Sequence, residues 1–124
     1  MINKIIKLIK FKKCNVEGNN VFVRSGFKIY GKREKIYIKS KERLYIGKNS
    51  IITNMGEIYI GDNFSATENL RITSLKKITI GNNVLLGSNV TIIDCNHGMN
   101  PNDEKGYSKQ EMLTKEIEIG NGVW

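Results

Sequence analysis

The 124-residue chain holds one histidine, His97, within the run GSNVTIIDCNHGMN (87–100). Histidine is the side chain whose ordinary pKa, about 6.5, lets it take up and release protons near neutrality. General-base chemistry on a hydroxyl is therefore the reaction type open to it. Two neighbours could join it. Asp94 lies three residues earlier, where it could orient the imidazole, hold a substrate hydroxyl, or bond its own corner as turn aspartates do. Cys95 could act as a thiol nucleophile or be a small packed residue. A lone histidine supplies a three-histidine zinc site only on a threefold axis, so no metal is expected. His97 alone does not decide its role; its place in the surrounding pattern does.

That pattern is a six-residue repeat. LYIGKN (44–49), IYIGDN (58–63), ITIGNN (78–83) and IEIGNG (117–122) share the form aliphatic–X–Ile–Gly–X–Asn/Gly. The two aliphatics are two residues apart and face one side of a strand. The Asn or Gly tolerates a left-handed corner. Inward triplets are predicted at 58–60, 64–66 and 70–72, then at 78–80, 84–86, 90–92 and 96–98. Three triplets make one triangular turn, so Ile60 should stack on Ile80, Ala66 on Leu86 and Ile72 on Ile92. Triplets 36–38, 44–46 and 50–52 fit with longer corners, and VFVRSGFKI (21–29) is a looser version. An antiparallel sheet with regular turns would explain alternation but not the recurrent IGxN. The fold class read from these residues is all-β, a parallel β-helix over 21–124 behind a basic N-terminal cap segment, 1–20.

The register bears on His97. In triplet 96–98 Asn96 and Gly98 replace the inward aliphatics, while His97 takes the outward middle position. A polar segment follows, GMNPNDEKGYSKQEML (98–113), too long for a plain corner. An extruded loop is expected at about 98–116, with Met99, Tyr107 and Met112 as candidate contacts to a neighbouring subunit.

The run ITIGNNVLLGSNVTIIDCNHG, the polar loop and then IEIGNGVW resemble the left-handed β-helix acyltransferases with hexapeptide repeats. The nearest likeness is to sugar and polysaccharide O-acetyltransferases of the maltose/galactoside and O-antigen or capsule type. The resemblance covers about residues 36–124 and implies a left-handed helix. It also implies acetyl-CoA as co-substrate, a sugar or glycan hydroxyl as acceptor, and a homotrimer with sites between subunits. His97 then takes the place of the catalytic base, and Asp94 falls in an Asp–x–x–His pattern. Within SATENL (65–70), Asn69 matches the second Asn of the family's NFNL and Thr67 replaces the first. Both are candidate substrate contacts, though a corner asparagine in turn conformation is the favoured reading of Asn69. Trp124 matches a tryptophan lining the donor channel. The chain ends at NGVW within a repeat, where relatives continue with further coils. A C-terminally truncated helix with weakened activity, or one completed by a partner, is therefore expected. A nucleotide-sugar N-acetyltransferase is the neighbouring alternative. The outward middle positions form no threonine ladder, which argues against an ice-binding solenoid.

Charge is uneven. Residues 1–48 carry 14 Lys/Arg against 3 acids, and the remainder 6 against 9, within a net +8. No recognition helix or zinc motif accompanies the basic half, so nucleic acid is not expected as a partner. Cys14 and Cys95 are far apart and no signal sequence is evident, which suggests a cytoplasmic protein. In MINKIIKLIKFKK (1–13), Ile2, Ile5, Ile6 and Ile9 fall at helical spacing with lysines between them. Such a segment could cover the end of the domain or touch the inner face of a membrane where glycans are assembled.

Overall fold

An aliphatic–X–aliphatic triplet buries its first and third side chains and turns its second to solvent. One coil of such triplets has too little apolar surface to stand alone, so each must be covered by the next. The computed structural model, which describes residues 2–124, builds that stack as a parallel β-solenoid of about four turns. Helix α1 (Ile2–Lys10) precedes it. The first coil contains β1 (Asn15–Glu17), β2 (Val21–Val23) and β3 (Lys28–Gly31). The second contains β4 (Ile36–Lys39), β5 (Leu44–Ile46) and β6 (Ile51–Asn54). The third contains β7 (Glu57–Ile60), β8 (Phe64–Ala66) and β9 (Arg71–Ser74). The fourth contains β10 (Lys77–Ile80), β11 (Leu85–Leu86) and β12 (Thr91–Ile93). The chain then leaves the stack through β13 (Cys95–Asn96), comes back along β14 (Leu113–Thr114), and re-enters as β15 (Ile117–Ile119).

Three faces result. The first is ordered β1-β4-β7-β10-β15, the second β2-β5-β8-β11 and the third β3-β6-β9-β12. The expected columns are present: Ile60 pairs with Ile80, Ala66 with Leu86 and Ile72 with Ile92. The first-face column extends from Ile38 through Ile60 and Ile80 to Ile119. These side chains, with Val21, Leu44, Phe64 and Leu70, form one continuous core, against which Leu86 and Ile119 pack half-buried. The longer upstream corners do not disturb it, because β2 and β3 pair in register with β5 and β6. Outside the first face, Tyr37 and Tyr59 stack with ring centroids 4.8 Å apart.

The corners explain the motif. Three IGxN copies follow strands of the first face, whereas LYIGKN follows β5 of the second. A Cβ on Gly61 would stand 2.6 Å from the Gly81 carbonyl of the next coil, so only glycine fits. Asn63 and Asn83 then take positive φ, 55° and 58°. The residue between them caps the coil beneath. The Asp62 carboxylate accepts from the backbone N–H of Glu42, Arg43 and Asn63. Asn82 Oδ1 accepts from Asp62 N, and Asn121 Oδ1 from Asn82 N.

Two stability predictions follow from this packing. Ile58 is fully buried, so Ile58→Ala should cost about 2–5 kcal/mol, read from the shift in the urea unfolding midpoint. Burial raises the Asp62 pKa, but the three N–H donors and the charge of Lys41 outweigh it and hold the carboxyl below its ordinary value. A depressed folded pKa gives stabilisation that is present above the unfolded value, about 3.9, and lost as pH falls through the folded value. Asp62→Asn should therefore flatten the fall in Tm between about pH 5 and pH 2.

Candidate active site

The corner between the third and first faces carries the candidate chemistry. On successive coils its buried polar residues are Asn54, Ser74 and Asp94. Asn54 Nδ2 donates to the Lys32 carbonyl of the coil below. Asp94 engages the same corner two coils later, and both its oxygens are used. Oδ1 accepts from Leu75 N at 2.7 Å. Oδ2 accepts from Ser74 Oγ at 2.7 Å, Lys76 N at 3.0 Å and Lys77 N at 2.8 Å. A carboxylate serves here because four donors converge, more than an amide oxygen could accept.

Asp94 also stands where the chain departs. Its backbone N–H donates to the Thr73 carbonyl, and its own carbonyl accepts from Lys115 N at 3.0 Å. Just beyond, Cys95 pairs antiparallel with Thr114 and Asn96 with Leu113. The excursion therefore has a closed, two-stranded neck, and His97 is the first residue past it. The extrusion was expected to begin at 98, with Asn96 turned inward. It begins at Cys95, and Asn96 is exposed. The place of triplet 96–98 in the first face is taken by Ile117–Ile119, which pairs with Ile78–Ile80. The exchange packs two half-buried isoleucines against the core where Asn96 and Gly98 would have left a gap.

The His97 side chain is exposed, and its backbone N–H donates to Asn96 Oδ1 at 2.9 Å. Gly98 is buried against the returning arm: a Cβ there would stand 2.6 Å from Gln110 Cβ. Gln110 braces the arm further. Its Oε1 accepts from Asn100 N at 3.1 Å and its Nε2 donates to the Asn100 carbonyl at 2.8 Å. Met99, Tyr107 and Met112 remain exposed on the arm. Burial pushes the Cys95 thiol pKa up, and the Asp94 carboxylate beside it adds to the shift. Cys95 therefore stays protonated at neutral pH, opposite to what a thiol nucleophile needs.

The other sequence-derived candidates lie elsewhere. Thr67 and Asn69 sit between the second and third faces, on a different edge of the prism from His97. Thr67 Oγ1 pairs with Ser88 Oγ at 3.0 Å. Asn69, at φ 61°, donates from Nδ2 to Asn89 Oδ1 at 3.0 Å, within a column of left-handed corners that includes Asn49 and Asn89. Trp124 is 93% exposed on the first-to-second side. Within one chain, then, the structure brings Asp94 and His97 to one neck and leaves Thr67, Asn69 and Trp124 apart from it. Gln110 was not singled out from sequence. Its separation from Asn100 by ten residues of polar loop gave no periodic signal. Among the described residues, no group of three His, Cys, Asp or Glu side chains is placed to hold a metal ion, and no helix is long and apolar enough to cross a membrane.

Known proteins are similar in sequence, among them two acetyltransferases. The galactoside O-acetyltransferase of Escherichia coli (strain K12) is 42% identical over 67 residues, covering 54% of this chain and 32% of that protein. A protein of Dictyostelium discoideum named as an acetyltransferase is 30% identical over 91 residues, covering 73% of this chain and 42% of that protein. The chain is a relative of acetyltransferases. It spans 32% and 42% of the length of these two proteins. No family model matches the chain, and no solved structure matches it. The parallel solenoid agrees with the hexapeptide-repeat acyltransferase resemblance read from its IGxN corners.

Asp94→Ala would orphan the amides of residues 75–77 and leave the Ser74 hydroxyl only its longer bond to the Glu57 carbonyl, 3.3 Å. At about 1–3 kcal/mol per unsatisfied buried group, with water recovering part of it, Tm should fall by several degrees. Hydrogen exchange at the amides of 75–77 and at Lys115 should accelerate most. Unchanged protection at these amides would show that the carboxylate does not hold the corner.

Proposed function

We propose that the chain carries the base-bearing part of an acetyl-CoA-dependent acetyltransferase acting on a sugar or polysaccharide hydroxyl. The observation that carries the reading is the position of the sole histidine. It is solvent-facing, one residue beyond a neck latched to the rigid stack by Asp94. Likeness to a galactoside O-acetyltransferase supports the acceptor class. Acetyl-CoA supplies the acetyl group as a thioester, already activated for attack.

The residues then divide the work. His97 accepts the proton of the acceptor hydroxyl as that oxygen bonds to the acyl carbon. A backbone N–H at the neck or arm stabilises the negative charge developing on the carbonyl oxygen. The imidazolium returns the proton to the departing thiolate, so the base is restored each turnover. Asp94 acts as a positioning residue through the neck, leaving the imidazole free to meet substrate. A homotrimer would bring the Thr67 and Asn69 edge of one subunit toward the His97 edge of the next. Both residues would then contact the acceptor, and Trp124 would line the donor channel.

His97→Ala should lower acetyl transfer to a galactoside acceptor about 10²–10⁴-fold, followed as thiol release from acetyl-CoA. His97 is exposed, so the circular dichroism spectrum and Tm should not change. A His97→Ala chain with normal turnover would remove the base from the mechanism.

A further inference from the structure

Helix α1 is turned the wrong way round for a capping helix. Successive helical residues lie about 100° apart, which places Leu8, Ile5, Ile9, Ile2 and Ile6 on one continuous arc of about 160°. Lys4, Lys7 and Lys10 occupy the opposite side. A helix that covers a core turns its apolar arc inward. Here Lys7, at the centre of the lysine side, meets the body: its Nζ donates to the Gly18 carbonyl at 2.8 Å and to Asn19 Oδ1 at 3.2 Å, while Lys4 and Lys10 beside it stay exposed. Of the apolar arc, Ile6 at its edge packs against the core. Ile2, Ile5, Leu8 and Ile9 are 74%, 48%, 64% and 65% exposed.

The orientation is fixed from below. Arg33 donates to the carbonyls of Lys10 at 3.1 Å and Lys12 at 3.3 Å, which ties the end of the helix to the second coil. Along residues 1–16 every charged side chain is cationic, since no acid precedes Glu17. Two hollows of 320 and 300 Å³ flank Ile9. Lys10, Lys28 and Arg33 rim the first, with Tyr30 as an apolar wall. Lys12, Lys13 and Arg33 rim the second.

We propose that this face docks on an anionic phospholipid bilayer. The isoleucines and Leu8 enter the headgroup boundary, and the flanking cations meet lipid phosphates. The charge selects this occupant over a second copy of the chain, since a twofold contact through α1 would set two clusters of lysines against each other. It also selects lipid over nucleic acid, because four exposed aliphatic side chains occupy the centre of the face. Nothing in the proposal depends on the acetyl-transfer reading.

The test is co-sedimentation of the whole chain with two kinds of vesicle, phosphatidylcholine alone and phosphatidylcholine with about 30% phosphatidylglycerol. Binding is expected to the anionic vesicles and should weaken steeply between about 0.1 M and 1 M salt. Ile5→Gln together with Ile9→Gln keeps every charge and replaces aliphatics with a good helix former. This pair should reduce binding at least about tenfold with an unchanged circular dichroism spectrum. Lys12→Gln with Lys13→Gln should weaken it separately. Four results would overturn the proposal: no sedimentation of the unmodified chain with anionic vesicles, equal binding to neutral ones, unchanged binding by the Ile5/Ile9 variant, or dissociation of a self-associated chain by that variant with no vesicle capture.

Discussion

Everything in this molecule depends on coils remaining in register with one another. Backbone ladders between coils repeat at about 4.8 Å, and side chains at the corners accept the N–H groups that the turns leave over. Asp62, Asn82 and Asn121 do this on one edge, and Asp94 on another. A residue inserted within a strand would move every later side chain to the wrong side of the wall. An insertion is tolerated only where the chain can leave a corner and return to the same rung.

That constraint turns a stacking rule into a site. The segment between Asp94 and Ile117 departs and returns through one rung, so its two limbs must lie side by side at the neck. A residue placed immediately beyond the neck inherits the rigidity of the stack while remaining in solvent. His97 has that position. The four hydrogen bonds to the Asp94 carboxylate secure the departing limb, and the Lys115 amide secures the returning one.

The columns were legible because their period is strict. Ile60, Ala66 and Ile72 could each be matched to a partner one coil above without any structure. The start of the excursion was less legible. A six-residue count carries Asn96 and Gly98 into the wall, and only the competing isoleucines at 117 and 119, twenty residues later, show why they are displaced. Asp94 was legible as a corner residue or a catalytic partner, but sequence spacing does not say toward which coil its oxygens turn. Helix α1 showed in the sequence as helical spacing of its isoleucines, with a strand left open. Which of its sides meets the body was not legible, because the choice rests on Lys7 and Arg33 reaching particular carbonyls.

The proposed mechanism requires acyl donor and acceptor to meet at the neck. A structure with coenzyme A bound tests this most directly, through the distance from its sulfur to the His97 imidazole. The expected result places the sulfur within reach of one proton transfer, about 3–4 Å or one bridging water from a ring nitrogen. Coenzyme A bound in order with its sulfur on another edge of the prism, away from His97, would contradict it.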